Sequence, residues 1–407
     1  MNHQRRQKKI LAQLGDGYLA IIATNSEQLR NGDVFYPFRA HSDFWYLTGF
    51  SEPQAVAVFS EGKYIIFLRE KDAKTEIWNG KCLGVDAASK VLGADLAYPI
   101  SALKTQLPQL IKAAKNIYYD FKPCPLDDEI MHCLALTKTH SFAKYLHEMR
   151  LIKDDSEIAS MQKAADISVA AHQLAIEQTK PDLFEYEIGA IFDANFRKHN
   201  ATHAYEPIVA GGKNACVLHY IKNDKRLNAG ELLLIDAGCE VDGYAADISR
   251  TFPINGKFSP AQRQIYQLVL DAQLAAIAAI KPSAPITAPH KIAKQVLKQG
   301  LIDLEILPTD GDLTQFYMHG TGHWLGLDVH DVGNYQQNNQ DRKYKIGMVT
   351  TVEPGIYIRA SDKINPIYWN IGIRIEDDVL VTKNGNRVLT VALAKEIEQI
   401  EALMQKL

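Results

Sequence analysis

The sequence predicts an α/β (α+β) protein of two domains, a small mixed-sheet unit over 1–150 and a larger unit over 151–407. Three observations carry this prediction. With 407 residues the chain is longer than one hydrophobic core usually organises. Its patterning changes near Met149 to Lys153, from short alternating strand-like and helix-like segments to long helices. Beyond that point the order helix, helix, strand pair occurs twice, which predicts two related halves although the residues themselves show no repeat.

The basic start "MNHQRRQKKI" reads as a surface helix. The "LAQLGDGYLAIIA" that follows is broken by Asp16 and glycines, so it does not form the apolar stretch of a secretory signal. "YLAIIA" (Tyr18 to Ala23) reads as a buried strand and "QAVAVFSEGKYIIFL" as a hairpin turning at Glu61-Gly62. "NIYYDF" reads as a further strand after an amphipathic stretch from Leu103 to Ala113. The aromatic segment Tyr36 to Phe50 belongs to the core, with Arg39, His41 and Asp43 as polar residues in apolar company. In the second domain Asp155 or Ser156 caps a helix whose apolar positions Ile158, Met161, Ala165, Val169 and Ile176 recur mostly at three- and four-residue steps. A second helix gathers Ile188, Ile191, Phe192 and Phe196, and strands fill Leu232 to Phe252. Ser259-Pro260 restarts the order, with a helix through Ile280, another from about Pro289 to Gly300, and strands from Gly347 to Thr382.

The formal net charge of -3, with both signs mixed along the chain, gives no electrostatic footprint for nucleic acid or an anionic membrane. No apolar run reaches the roughly 18 residues of a membrane span. The 5 cysteines (Cys82, Cys124, Cys133, Cys216, Cys239) are scattered and never spaced as CxxC, which suits reduced structural thiols in the cytoplasm.

Chemistry concentrates in four acids inside β segments. "ELLLIDAGCEVDGYAADISRTF" sets Asp236 at the end of an apolar run and Asp247 beyond an Asp242-Gly243 turn. If that pair is a two-residue hairpin turn, Val241 faces Tyr244, Asp236 faces Ser249, and Asp247 lies diagonally across from Asp236. A turn one residue earlier opposes the two aspartates directly, and either register puts both carboxylates on one side. In "MVTTVEPGIYI", Glu353 interrupts an apolar run before Pro354. In "NIGIRIEDDVLV", Ile371, Ile373 and Ile375 share one face, leaving Arg374 and Glu376 on the other, with Asp377 and Asp378 reading as solvated or turn-forming residues. Carboxylates gathered in an apolar sheet require a cation.

The imidazole comes from "HGTGHWLGLDVHD". His319 and His323 are four apart, as in helical zinc proteases, but no glutamate follows His319, and Gly320 and Gly322 weaken a helix. His323 reads as a ligand, with His319 and His330 near substrate or behind the ligands. Carboxylates with one imidazole favour Mn²⁺ ahead of Zn²⁺, Co²⁺ or Fe²⁺.

Four segments, "LLLIDAGCEVDGYAADISRTFP", "HGTGHWLGLDVHD", "TTVEPGIYI" and "NIGIRIEDDVLVT", together resemble the metallopeptidases of the pita-bread fold, specifically the Xaa-Pro aminopeptidases (aminopeptidase P). The likeness runs from about Phe35 to Val381 and includes "YPFRAHSDFWYLTGFSEPQAV" and "EIWNGKCLGVDAA", a domain that methionine aminopeptidases usually lack. It implies two divalent ions held by Asp236, Asp247, His323, Glu353 and Glu376, with Asp247 and Glu376 bridging. It implies substrate and transition-state roles for His219, His319 and His330, and a supporting role for Arg374. The implied reaction is hydrolysis of the bond before a proline in second position, by a hydroxide that the two ions generate, with Glu353 as proton acceptor and His219 and His330 stabilising developing charge. A homodimer or homotetramer is also implied, with the segment of Trp78 reaching a neighbouring active site. Three alternatives share the fold: a prolidase cutting Xaa-Pro dipeptides, a metal-free hydrolase like creatinase, which the full ligand set disfavours, and a non-catalytic peptide-binding module.

Overall fold

The computed structural model describes residues 2–121, 125–135 and 137–405 and divides into two compact units, Met1–Met149 and Arg150–Leu407. The first unit is built on a six-stranded sheet in the order Leu96–Pro99, Lys63–Leu68, Val56–Ser60, Tyr18–Ala23, Asn116–Tyr118, Thr139–His140. Its centre is antiparallel and both flanks are parallel. Period-two alternation puts Leu19, Ile21, Val56, Val58, Ile65 and Phe67 on one face, where Leu103, Leu107, Ile130 and Leu134 from two helices cover them. The hairpin turns at Glu61 and Gly62, both at positive φ (48° and 78°), as a tight turn matching strand twist demands. The strand from Asn116 is shorter than the sequence predicts and ends at Tyr118. The opening helix His3–Leu11 is not wholly a surface element. Arg6 is buried with its guanidinium 4.2 Å from the Tyr46 ring centroid, and Gln7 donates to the Leu47 carbonyl at 2.8 Å, so one face packs on the helix Ser42–Thr48.

In the second unit the helices Asp155–Gln178 and Glu185–Lys198, and then Pro260–Ala278 and Ala288–Asp303, precede two sets of strands. Asp154, rather than Asp155 or Ser156, caps the first helix. Its carboxylate accepts from the Ser156 and Glu157 amides while Glu157 answers with a bond from the Asp154 amide, and one such reciprocal box suffices at a helix start. Ser259 and Gln262 repeat the device at the third helix. Among the described residues no helix is long and apolar enough to cross a membrane. Cys216 and Cys239 are buried, Cys82 and Cys133 partly so, all four with free thiols; Cys124 lies outside the described residues.

Both hairpins that carry the acids are interrupted in the middle. In the first, Leu232–Asp236 pairs with Ser249–Pro253, Asp236 opposite Ser249, and Cys239–Val241 pairs with Tyr244–Ala245 in a separate sheet. The Asp242-Gly243 turn sets Val241 opposite Tyr244, the first of the two registers the sequence permits. In the second, Val349–Val352 pairs with Asp377–Leu380 of one strand, and Gly355–Ile358 with Ile371–Arg374 of another sheet. The break in the first falls at Gly238, where a Cβ would lie 1.8 Å from the Ala246 carbonyl oxygen, so only glycine admits so close an approach. The two hairpins join through the Glu376 amide, which donates to the Ser249 carbonyl at 3.0 Å, and through Thr251, whose hydroxyl donates to the Arg374 carbonyl.

Candidate active site

Each interruption leaves acids beside a gap in the ladder, and the gaps face one another. Asp236 ends its strand and Asp247 lies between Tyr244–Ala245 and Ser249–Pro253, while Glu353 and Glu376 occupy the two breaks of the second hairpin. The segment from Thr321 runs beside Val349–Val352 like an added edge strand. The Glu353, Thr351 and Val349 region bonds it in alternation: Glu353 N–H to Thr321 O (2.8 Å), Thr351 N–H to His323 O (2.9 Å), and Leu325 N–H to Val349 O (3.1 Å). Gly322 permits this approach, since a Cβ there would fall 2.0 Å from the Thr351 carbonyl oxygen. The glycines among the histidines thus allow backbone contact that draws His323 alongside Glu353.

All nine residues singled out in the sequence line one cavity of about 230 Å³: Asp236, Asp247, His323, Glu353, Glu376, His219, His319, His330 and Arg374, joined by Leu218. Ligand atoms of Asp247, His323 and Glu376 all lie within 4.8 Å of one another. His323 Nε2 lies 3.4 Å from Asp247 Oδ2 and 3.8 Å from Glu353 Oε1. Its Nδ1 is 3.0 Å from the Trp324 carbonyl, to which it donates, and this orients Nε2 into the cavity as metal-ligating histidines require. Arg374 donates through Nη2 to Asp236 Oδ2 (2.6 Å), through Nε to Ser249 Oγ (2.8 Å) and through Nη1 to the Tyr357 hydroxyl (3.1 Å). Ser249 relays the contact by donating to Glu376 Oε2 at 2.8 Å. Tyr357 in turn donates to His319 Nε2 (2.8 Å), whose Nδ1 donates to the Gly320 carbonyl (2.7 Å). The His330 ring stands at 77° to that of His323 with centroids 4.3 Å apart.

The electrostatics record the crowding of anions. Burial, with the charges of Asp247, Glu353 and Asp236, pushes Glu376 well above the usual carboxylate range. Burial raises Glu353 to about 7 against the pull of His323 and Arg374, and raises Asp236 as well. Burial also acts on Asp247, but the hydrogen bond and charge of His323 outweigh it and hold that carboxyl low. His323 is disfavoured as a cation by burial, yet bonding to Asp247 lifts it to about 9. His319 is driven down to about 4 by burial and then by Arg374, and burial with the charge of His323 lowers His330. Three of the four carboxyls in this buried space, Asp236, Glu353 and Glu376, are thus pushed toward their protonated forms, which added cations would oppose. Four oxygen-donor side chains and one imidazole fit hard-to-borderline divalent ions.

Tyr205 escapes sequence reasoning. Its hydroxyl lies 2.6 Å from Asp236 Oδ1 and 2.6 Å from Asp247 Oδ1. With a single hydrogen to give, it donates to one carboxyl and accepts from the other. It sits in an irregular stretch between Thr202–His203 and Ile208–Gly211, where no periodicity announces it. Tyr357 did carry a signal, because Glu353, Gly355 and Tyr357 alternate onto one face. Asp377 and Asp378, read as turn formers or solvated residues, are instead buried strand residues. Asp377 is paired with Arg250 (2.8 Å) and Lys395 (2.7 Å), and Asp378 Oδ2 accepts the Asp247 amide at 3.1 Å. Burial acts on Asp377 too, but Arg250 and Lys395 hold it below the usual range, while burial and Asp247 push Asp378 well above it.

Comparison with known proteins follows the same division. Residues 159–383 match the model of metallopeptidase family M24, and residues 3–118 match the aminopeptidase P N-terminal domain. The chain is 45% identical to a Xaa-Pro aminopeptidase of Haemophilus influenzae, over 98% of this chain and 96% of that protein, and 40% identical to that of Escherichia coli, over 98% and 97%. It superposes on the solved aminopeptidase PepP of Pseudomonas aeruginosa with a TM-score of 0.95 at 42% identity, covering 99% of this chain and 97% of the other. A zinc-substituted Escherichia coli aminopeptidase P in complex with product gives 0.95 at 39% identity, with 99% and 97% covered. With a family match over more than half its length and these relatives along nearly all of it, the chain belongs to metallopeptidase family M24, carrying the aminopeptidase P amino-terminal domain and the family's pita-bread catalytic fold.

Proposed function

We propose that this metal-dependent aminopeptidase removes the amino-terminal residue of peptides with proline in second position, using two divalent ions held by Asp236, Asp247, His323, Glu353 and Glu376. The observation that carries the reading is the convergence of four carboxyls and one oriented imidazole from two halves of the unit on a single cavity. The names of the relatives, Xaa-Pro aminopeptidases at 40 to 45% identity, support the proline preference.

When bound, such ions supply Lewis acidity and a nucleophile at neutral pH, Mn²⁺ being the favoured ion and Zn²⁺, Co²⁺ or Fe²⁺ its alternatives. The side chains do the rest. Asp247 and Glu376 would be shared between the two ions, and Tyr205 and Ser249 respectively hold these carboxyls in place. Glu353 borders the cavity with an oxygen 3.8 Å from His323 Nε2, where it is placed to take up a proton from attacking water. His219 and His330 border the same cavity, where charge develops on the carbonyl oxygen and on the leaving proline nitrogen. His319 stays neutral, its tautomer fixed by Gly320 and Tyr357, and acts in substrate binding with Arg374 behind it. Assembly as a homodimer or homotetramer belongs to the proposal, supported by Ile77 and Trp78, which are 82% and 86% exposed on the helix Ala73–Asn79. A cytoplasmic location is supported by the four free cysteines.

The test is hydrolysis of a tripeptide with proline second, after chelation and after return of Mn²⁺, Co²⁺ or Zn²⁺, beside a Xaa-Pro dipeptide. Turnover of the tripeptide that needs added metal is expected. Cleavage of the dipeptide alone would make the enzyme a prolidase.

A further inference from the structure

Among the described residues His330 makes a ring contact with His323 but no hydrogen bond, so its place in the cavity depends on the chain around it. That chain, residues 324–331, has no regular structure. It is closed by the Asp331 amide donating to the Trp324 carbonyl at 2.8 Å, and tied down where the Ala245 amide donates to Gly326 O. Immediately after His330, the Asp331 carboxylate is enclosed by two cations. Arg150 Nη2 donates to Oδ1 at 2.5 Å and Lys153 Nζ to Oδ2 at 2.9 Å, with all three side chains no more than 2% exposed. Arg150 also reaches Asp328 Oδ2, in the same loop, at 2.7 Å. Gly326 makes room for the carboxylate, since a Cβ there would lie 2.1 Å from Asp331 Oδ2 and 2.9 Å from Lys153 Cε. Lys153 is fixed in its turn by its amide bond to the Gly347 carbonyl.

Closing a loop does not require three buried charges. The backbone bond and the buried side chains of Leu325 and Leu327 already oppose opening, and a buried ion cluster adds little net stability over apolar packing while admitting only one geometry. We propose that Asp331 is a positioning residue, which, clamped between Arg150 and Lys153, fixes the backbone from which His330 enters the cavity. This inference rests on the reading of His330 as a group that meets the substrate.

Asp331→Asn keeps the shape and removes the charge. The full chain, loaded with Zn²⁺ and carrying ¹⁵N-labelled histidine, provides a readout independent of activity, with the His330 ring resonances assigned by their loss in His330→Gln. In Asp331→Asn those resonances should move while those of His199, bonded to the Asn195 carbonyl of its own helix, stay. In kinetics on a Xaa-Pro tripeptide, kcat should fall roughly 10- to 100-fold with KM changed far less, as a displaced catalytic group predicts. Combined with His330→Gln, Asp331→Asn should add no more than about a twofold loss, because it acts through the residue already removed. Lys153→Met, which leaves Arg150 to neutralise Asp331, should give the same resonance shift and serves where Asp331→Asn does not fold. Unmoved His330 resonances, or losses that multiply in the double variant, overturn the inference. Full activity of His330→Gln would instead overturn the substrate reading of His330, and the resonance shift would still decide whether Asp331 positions it.

Discussion

Acidification should strip the site of its ions along a slope set by the protons the metal-free cage retains. At pH 7 His323, lifted to about 9, carries a proton, and burial with the neighbouring acids pushes Glu376 in the same direction. Glu353, at about 7, is close to half protonated. A histidine ligates only when neutral and a carboxyl best when ionised, so metal uptake must expel these protons, roughly one to two from His323 and Glu353 at neutrality, with any proton held by Glu376 adding to them. The apparent affinity for Mn²⁺ should therefore fall on the order of 10- to 100-fold for each pH unit lost around pH 7, and more steeply for a proton on Glu376. The sign follows from all three groups being raised in the metal-free state. Each opposes binding below its own pKa and ceases to matter above it, so the slope shallows as pH rises through about 7 and again through about 9.

Calorimetric titration of chelator-stripped protein with Mn²⁺ reads this directly. In two buffers of equal pH and different ionisation enthalpy, the difference in heat counts the protons released. Release of fewer than about one proton at pH 7, or an affinity flat from pH 6 to 8, would show that these side chains are not crowded without metal, and the argument for the cage would fail with it.

Three further outcomes test separate parts of the site. Tyr205→Phe keeps the ring and removes the hydroxyl between Asp236 and Asp247; losing a hydrogen bond to a charged group of about 1.5–3 kcal/mol should weaken metal binding by about 10- to 100-fold without unfolding the protein, as titration and thermal melting will show. Arg374→Met leaves Asp236 buried without its guanidinium, which should cost about 3–5 kcal/mol in the metal-free protein and visibly less with Mn²⁺ present; equal losses by denaturant unfolding in both states would contradict the pairing. Gly238→Ala drives a Cβ to 1.8 Å from the Ala246 carbonyl oxygen, so the backbone must separate where Asp236 and Asp247 converge; loss of metal binding is expected, and a variant that titrates like the parent would show that the close approach is dispensable.

How much of this site is legible in sequence depends on how far a local rule reaches. A two-residue Asp-Gly turn fixes the register of a hairpin, and register fixes which side chains share a face, so Asp236 opposite Ser249 is one of the two registers the sequence permits, and both put Asp236 and Asp247 on one side. Parity likewise brings Arg374 and Glu376 together, and both border the cavity. The rule fails where the ladders break. Gly238 and Pro354 mark the breaks, but a glycine without room for a Cβ is indistinguishable in sequence from one in an open turn. It fails again for Tyr205, which lies in irregular chain, and for Asp377, whose burial depends on Arg250 and Lys395. Above all, nothing local brings the two hairpins together. Their junction rests on the Glu376 amide finding the Ser249 carbonyl, and on Asp378 accepting the amide of Asp247, bonds between segments more than a hundred residues apart. Because each half contributes only two of the four acids, neither hairpin alone can hold the ions the cavity fits. The two breaks in the ladders are where the halves must meet, and the repulsion among acids gathered there is what bound divalent metal would relieve.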